Sequence, residues 1–257
     1  GLSMREMNKK NEIFDHTQRF SQEKENREDS EKRQSREFPE KIEKSEKQGE
    51  ITENQRKDDL KYDFWLASLT NINSSKRIQV RELCGSAQAV YELREETLKN
   101  MHLFTDNELQ HLLESRKKDL NRAWERFLGQ NIQMFPIGSK KYPQRLKDIA
   151  QPPYAIFCKG SMPDARKSVG IVGARMCSEY GRSIATKLGK MLAGKDVQVI
   201  SGMALGIDSA SHAGALQGKG STFAVLGCGC DICYPKNARN LYENIQTSGG
   251  GILSEYP

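Results

Sequence analysis

From residue 130 onward six short apolar runs alternate with helical patterns, and this alternation narrows the fold more than anything else in the chain. The runs are residues 132–135, 154–158, 169–172, 197–200, 222–226 and 251–253, each bounded by Gly, Pro or Ser. Runs this short and this apolar predict buried strands. Residues 180–193, 207–217 and 237–247 between them space their apolar side chains by three and four, as with Ile184, Leu188 and Leu192. Strand and helix in that rhythm predict βαβ units and a parallel, doubly wound α/β sheet over residues 130–257.

The preceding chain divides in two. Over residues 60–129 the period is helical throughout, through Phe64, Trp65 and Leu69, Val80 and Leu83, Leu109 and Leu113, then Trp124 and Phe127. A small all-α domain of four or five short helices is expected, with Thr105-Asp-Asn-Glu108 as a capping box. The stretch from Leu69 to Lys76 stands where a helix-hairpin-helix would carry a glycine turn, but Asn71 and Asn73 replace the glycines, so an ordinary helix connection is expected. Residues 1–59 are nearly all Glu, Lys, Arg, Gln, Ser and Asn and carry no apolar face, which predicts a disordered charged tail.

Charge divides at the same place. Of 40 Lys+Arg and 34 Asp+Glu, 14 and 16 precede Leu60, leaving 26 against 18 and a net charge of +8 downstream. A basic folded part suits a polyanionic partner as well as it suits solubility. Six cysteines without a signal peptide read as cytosolic thiols, and no apolar run approaches the roughly 20 residues of a membrane span. A cytoplasmic protein is expected.

Three turns at the carboxyl ends of the expected strands, residues 173–178, 202–208 and 227–234, are rich in glycine and small residues. Such turns open helices whose first N–H groups lack partners, and the helix dipole favours an anion there. Arg175 adds a fork of donors. A dinucleotide fits poorly, because Gly227-Cys-Gly229 lacks the third glycine of G-x-G-x-x-G, and no G-x-x-x-x-G-K-[ST] loop exists. Asp208 and His212 share a helix face at i,i+4, yet no nucleophile accompanies them beyond Ser178 and Ser201 on neighbouring loops. Cys230 and Cys233 have the x₂ spacing of a zinc knuckle, but one knuckle does not complete a tetrahedral site, so neither metal nor cofactor is expected.

Taken in order, Ile171-Val-Gly-Ala-Arg175 with Ser178-Glu-Tyr-Gly181, Ser201-Gly-Met-Ala-Leu-Gly-Ile-Asp208, Ser211-His-Ala-Gly-Ala-Leu216, Ala224-Val-Leu-Gly-Cys-Gly229, Tyr234-Pro-Lys-Asn237 and Leu253-Ser-Glu-Tyr-Pro257 resemble the DprA/Smf family of bacterial natural transformation. Tyr142-Pro-Gln-Arg-Leu146 adds to the likeness, which covers about residues 60–257. The resemblance implies an extended Rossmann-like domain that binds single-stranded DNA, a SAM-like helical domain before it, and a role in protecting incoming DNA and loading the RecA recombinase, without catalysis. By position, it implies a phosphate pocket of Gly173, Arg175, Ser178, Ser201, Gly202, Gly206 and Lys236, with Asp208 and His212 ordering the loops. A homodimer is implied as well. The family continues past Ser-Glu-Tyr-Pro into F-P-x-R-N-R-I-I-A-G-L, so a C-terminal part that bears arginine and the dimer surface is expected to be lacking here. Leu205 stands where many relatives are basic. The other reading is a nucleotide-processing enzyme of the lysine-decarboxylase-like or phosphoribohydrolase kind, whose P-G-G-x-G-T-x-x-E signature is met only by Ser248-Gly-Gly-Gly251.

Overall fold

The structure is a computed structural model that describes residues 53–233 and 235–257, with side chains from Asp59 onward. The tail expected over residues 1–59 lies, as far as residue 52, outside the described residues; its end is corrected, because residues 53–59 are the first two turns of a helix that runs on into Phe64 and Trp65. The described residues form one compact unit.

Six helices come first: α1 (Glu53–Ala67), α2 (Ser74–Cys84), α3 (Ala87–Glu92), α4 (Glu95–Asn100), α5 (Asp106–Ser115) and α6 (Leu120–Leu128). Side-chain caps set most of their starts, with Asn73 accepting from Ser75 N at 2.8 Å and Asp119 from Arg122 N at 3.0 Å. Thr105 and Glu108 form the expected capping box, each accepting from the other's backbone N–H at 3.3 and 2.9 Å. Asn73 therefore serves the α1–α2 connection as a helix cap.

The strands are β1 (Gln133–Pro136), β2 (Ala155–Gly160), β3 (Ser168–Gly170), β4 (Gln198–Ser201), β5 (Thr222–Leu226) and β6 (Gly251–Ser254). Each lies within two residues of its expected bounds. Between them come α7 (Gln144–Lys147), α8 (Glu179–Ala193), α9 (Ile207–Gln217), a 3₁₀ turn (Lys236–Ala238) and α10 (Arg239–Thr247).

The sheet order is β1-β2-β6-β5-β4-β3, and here the doubly wound parallel expectation is corrected. β3 to β6 are parallel, but β2 runs antiparallel to β6, and β1 antiparallel to β2. A parallel partner needs a crossover, usually a helix, whereas the β1–β2 connection holds only the four-residue α7. The parallel strands are also added in one direction, so their crossover helices gather on one face. On that face, Val199 packs with Ala193 and Ala215, and Ile252 and Ala224 join a core with Tyr242 and Ile245. On the other face, Phe223 and Leu253 pack with Phe135, Tyr142 and Ile156, while Val172 and Val225 nearer β3 remain exposed.

The helical segment and the sheet share one hydrophobic core. Phe64 lies tilted against Phe127 with ring centroids 4.8 Å apart, and Phe127 meets Phe157 of β2 edge-on at 5.7 Å. A polar latch lies beside it: Arg81 Nε donates to Asp63 Oδ1 at 2.8 Å, and the buried Tyr154 hydroxyl donates to the same oxygen. Burial and the Asp63 charge push the Tyr154 phenol far up, so it stays a donor at every physiological pH.

Candidate functional site

The site forms where β3 and β4 end. Ile171 N–H donates to Ile200 O at 2.9 Å, the last rung before the two chains part into the loops that open α8 and α9. Asp208, buried in the first turn of α9, ties those loops together. Its Oδ1 accepts from Gly173 N at 3.3 Å and its Oδ2 from Gly202 N at 3.1 Å. Ser201 Oγ donates to Ile171 O at 2.6 Å, and Ile207 N to Ala174 O at 3.3 Å. These bonds hold the two turns to each other before any ligand arrives.

The glycines are explained by crowding. A Cβ on Gly173 would lie 2.7 Å from Ile207 Cγ1, which fills the space that the glycine leaves. Gly206 has φ 83°, and a Cβ there would lie 2.3 Å from Ala174 O. Both steric and backbone reasons exclude a side chain at Gly206.

The structure brings together Gly173, Ser201, Gly202, Gly206 and Asp208, with Arg175 projecting exposed from the first loop. It also redistributes their work. The N–H groups of Gly173 and Gly202 face the Asp208 carboxylate instead of solvent. Those of Ala174, Arg175 and Met176 have no hydrogen-bond partner among the described residues, so the anion-ready stretch lies one to three residues further on. The signal was present in the sequence as an acid seven residues after Ser201, one loop away from Gly173. Ser178 caps α8, its Oγ accepting from Gly181 N at 3.1 Å. Lys236 lies exposed where the 3₁₀ turn begins, on the loop that leaves β5 and so beyond the same, carboxyl end of the sheet. Leu205 is exposed at the tip of the second loop.

His212 lies wholly inside, one turn after Asp208. Thr222 Oγ1 donates to Val199 O at 2.8 Å and shares a hydrogen bond of 2.7 Å with His212 Nδ1. Nε2 is buried without a hydrogen-bond partner. Burial pushes the ring's pKa down to about 4 against the pull of Asp208, so His212 is neutral near pH 7. Cys230 is equally sheltered, 3.3 Å from Phe157 O and 3.5 Å from Ile252 O, and burial raises its thiol to about 12. It is a packing thiol. No helix among the described residues is long and apolar enough to cross a membrane.

The sequence profile of the family described as DNA recombination-mediator protein A matches residues 133–257. The DNA processing protein DprA of Bacillus subtilis (strain 168) is 35% identical over 151 residues, 58% of this chain and 50% of that protein. DprA of Streptococcus pneumoniae (strain ATCC BAA-255 / R6) is 38% identical over 134 residues, 50% of this chain and 46% of that protein. Both matches thus span half or less of the relative's length. The X-ray structure of Streptococcus pneumoniae DprA superimposes with a TM-score of 0.56 at 26% identity, covering 81% of this chain and 69% of that one. Over residues 133–257, which hold both tethered turns, the chain is similar to the DprA/Smf family.

Proposed function

We propose that this chain is a DNA-processing protein of natural transformation that binds single-stranded DNA through its backbone, by the turn after β3. The observation that carries this reading is the free run of N–H groups at Ala174, Arg175 and Met176 beside the exposed Arg175 guanidinium, on a loop already fixed by Asp208. Backbone donors and a planar cation recognise phosphate without reading bases. Gly173, Ser201, Gly202 and Gly206 shape the cradle, Asp208 and His212 order it, and Ser178 and Lys236 stand at its margins. Kinship with proteins named for DNA processing supports a nucleic-acid ligand over a mononucleotide.

The finer parts of the reading rest on the same kinship. The parallel half of the sheet is read as part of a Rossmann-like domain over residues 130–257, residues 60–129 together with the start of α1 as a SAM-like domain, and the residues ahead of Glu53 as a charged tail. Protection of incoming DNA, loading of RecA onto it, a cytoplasmic setting and a binding rather than catalytic role complete the proposal.

Fluorescence anisotropy of labelled oligo-dT tests it. Binding should weaken steeply with salt, with a log–log slope of about −0.7 per phosphate contacted. Arg175→Ala should lower affinity about tenfold and make that slope shallower by about one contact. If Arg175→Ala leaves both affinity and slope unchanged, the pocket is misassigned.

A further inference from the structure

The chain that leaves β5 reverses direction before it reaches the 3₁₀ turn. Ile232 N–H donates to Gly229 O at 3.1 Å, which closes a four-residue turn over residues 229–232. The turn is anchored at its middle and its start. Cys230 is buried, the Tyr242 hydroxyl of α10 donates to Cys230 O, and a Cβ on Gly229 would lie 2.7 Å from Pro257 O. Cys228 and Cys233 stand immediately outside the two ends of this turn, the positions that come opposite each other when a chain reverses. Cys228 Sγ lies 3.9 Å from Ile232 O, on the peptide group that leads into Cys233. Both side chains are half-buried against the same hydrophobic core, and both are free thiols. Cys233 Sγ has an equally long contact, 3.7 Å to Pro235 O, so weak contacts alone hold either sulfur.

We propose that Cys228 and Cys233 are a redox modification site, a dithiol that closes to a reversible disulfide with a low-molecular-mass disulfide such as oxidised glutathione as oxidant. A disulfide needs Cα atoms about 4.4–6.8 Å apart, which is the separation of residues opposed across a reversing chain. One thiolate attacks a sulfur of the oxidant, so a mixed disulfide forms and one glutathione leaves. The other thiolate then attacks the protein sulfur of that mixed disulfide, the bond between Cys228 and Cys233 forms, and the second glutathione leaves. Across both steps the protein gives up two electrons and two protons, and the oxidant is reduced to two thiols. Cys230 takes no part, because burial raises its thiol to about 12 and keeps it from the oxidant. The pair are close enough to feel each other: after burial and Asp231, a charge on Cys233 also raises the Cys228 thiol. The ring closed over residues 228–233 ties the end of β5 to the approach of the 3₁₀ turn, and its partial exposure lets glutathione reopen it. No part of this depends on the DNA-binding reading.

Thiol labelling across glutathione buffers tests it. The chain is equilibrated at rising ratios of oxidised to reduced glutathione, quenched in acid, denatured, labelled with N-ethylmaleimide and digested with trypsin for mass spectrometry. The tryptic peptide of residues 220–236 holds Cys228, Cys230 and Cys233. It should pass from three labels to one, carried by Cys230, with the mass of two hydrogens lost and no glutathione added. Dithiothreitol before labelling should restore all three. In Cys228→Ser or Cys233→Ser the remaining thiol should stop at the mixed disulfide and keep its glutathione, since no second thiol completes the exchange; circular dichroism checks that both variants fold. Three labels at every ratio overturn the proposal. So does a wild-type peptide that keeps glutathione on Cys228 or Cys233, or a bond that joins either residue to Cys230 or to a second chain.

Discussion

The two ends of the sheet are joined to their helices by opposite means. At the β1–β2 end, Phe64, Trp124, Phe127 and Phe157 fill the space between layers with aromatic rings, and an Asp63–Arg81–Tyr154 latch ties α1 and α2 to the start of β2. At the β3–β4 end, Gly189 and Gly214 let two helix backbones touch, and the loops above them are held by hydrogen bonds to Asp208. Bulk buries apolar area and tolerates small adjustments, whereas backbone contact fixes positions but leaves no room for a single added carbon. The candidate cradle stands on the end built by contact, where the placement of N–H groups matters most.

The largest effect should come from the aromatic end. Phe157 is fully buried against Phe127, so Phe157→Ala should cost about 3–5 kcal/mol in urea unfolding, through lost area and the cavity left behind. A cost near 1 kcal/mol would mean that the helices carry little of the sheet's stability, and the contrast between the two ends would fail.

Next comes acid. His212 has a folded pKa of about 4 against about 6.5 in the unfolded chain, so between those values the unfolded state binds a proton that the folded state does not. Its stabilising share is therefore complete above pH 6.5 and falls as pH drops toward 4, by up to about 3 kcal/mol. His212→Gln should be less stable at pH 7 yet lose less between pH 7 and pH 4.5, as measured by denaturant midpoints at both. Equal acid losses in the two proteins would place the titrating group elsewhere.

Sequence pattern revealed the two ends unequally. All six strands were legible because buried strands of Val, Ile, Phe and Ala leave continuous apolar runs, and the capping box at Thr105 was legible because its donors are local. Strand direction was not, since β1 and β2 look like their parallel neighbours residue by residue and differ only in lacking a crossover helix between them. On α8, periodicity found the helix through Ile184 and Leu188 but could not tell that these face outward, because the inward seam is written in Ala and Gly, which carry almost no hydrophobic signal. In the candidate cradle, which amides are free depends on the reach of Asp208 across two loops, a tertiary fact that the loop sequences do not carry.

Gly214→Ala sharpens the contrast from the contact end. In an exposed helix this change stabilises by about 1 kcal/mol. Here the new Cβ would lie 2.1 Å from Thr186 O, so the sign should reverse to a loss of about 2 kcal/mol as α8 and α9 are forced apart. Because the Asp208 tether starts from α9, oligo-dT affinity should fall in the same variant under conditions where it remains folded.

The smallest effect separates support from contact within the cradle itself. Ser178 Oγ accepts from Gly181 N as the cap of α8, a role worth about 1 kcal/mol. Ser178→Ala should lower stability by about that amount, and Ser178→Asp, which keeps the cap and adds charge at the helix start, should restore it. On DNA the two substitutions should part. A serine that serves only as cap leaves oligo-dT affinity unchanged on going to alanine, whereas one that also meets phosphate loses affinity with alanine and loses more with aspartate, whose charge repels the backbone. With the hydroxyl already engaged by Gly181, the expected result is the first, which would leave Arg175 and its neighbouring amides as the part of the turn that touches the strand.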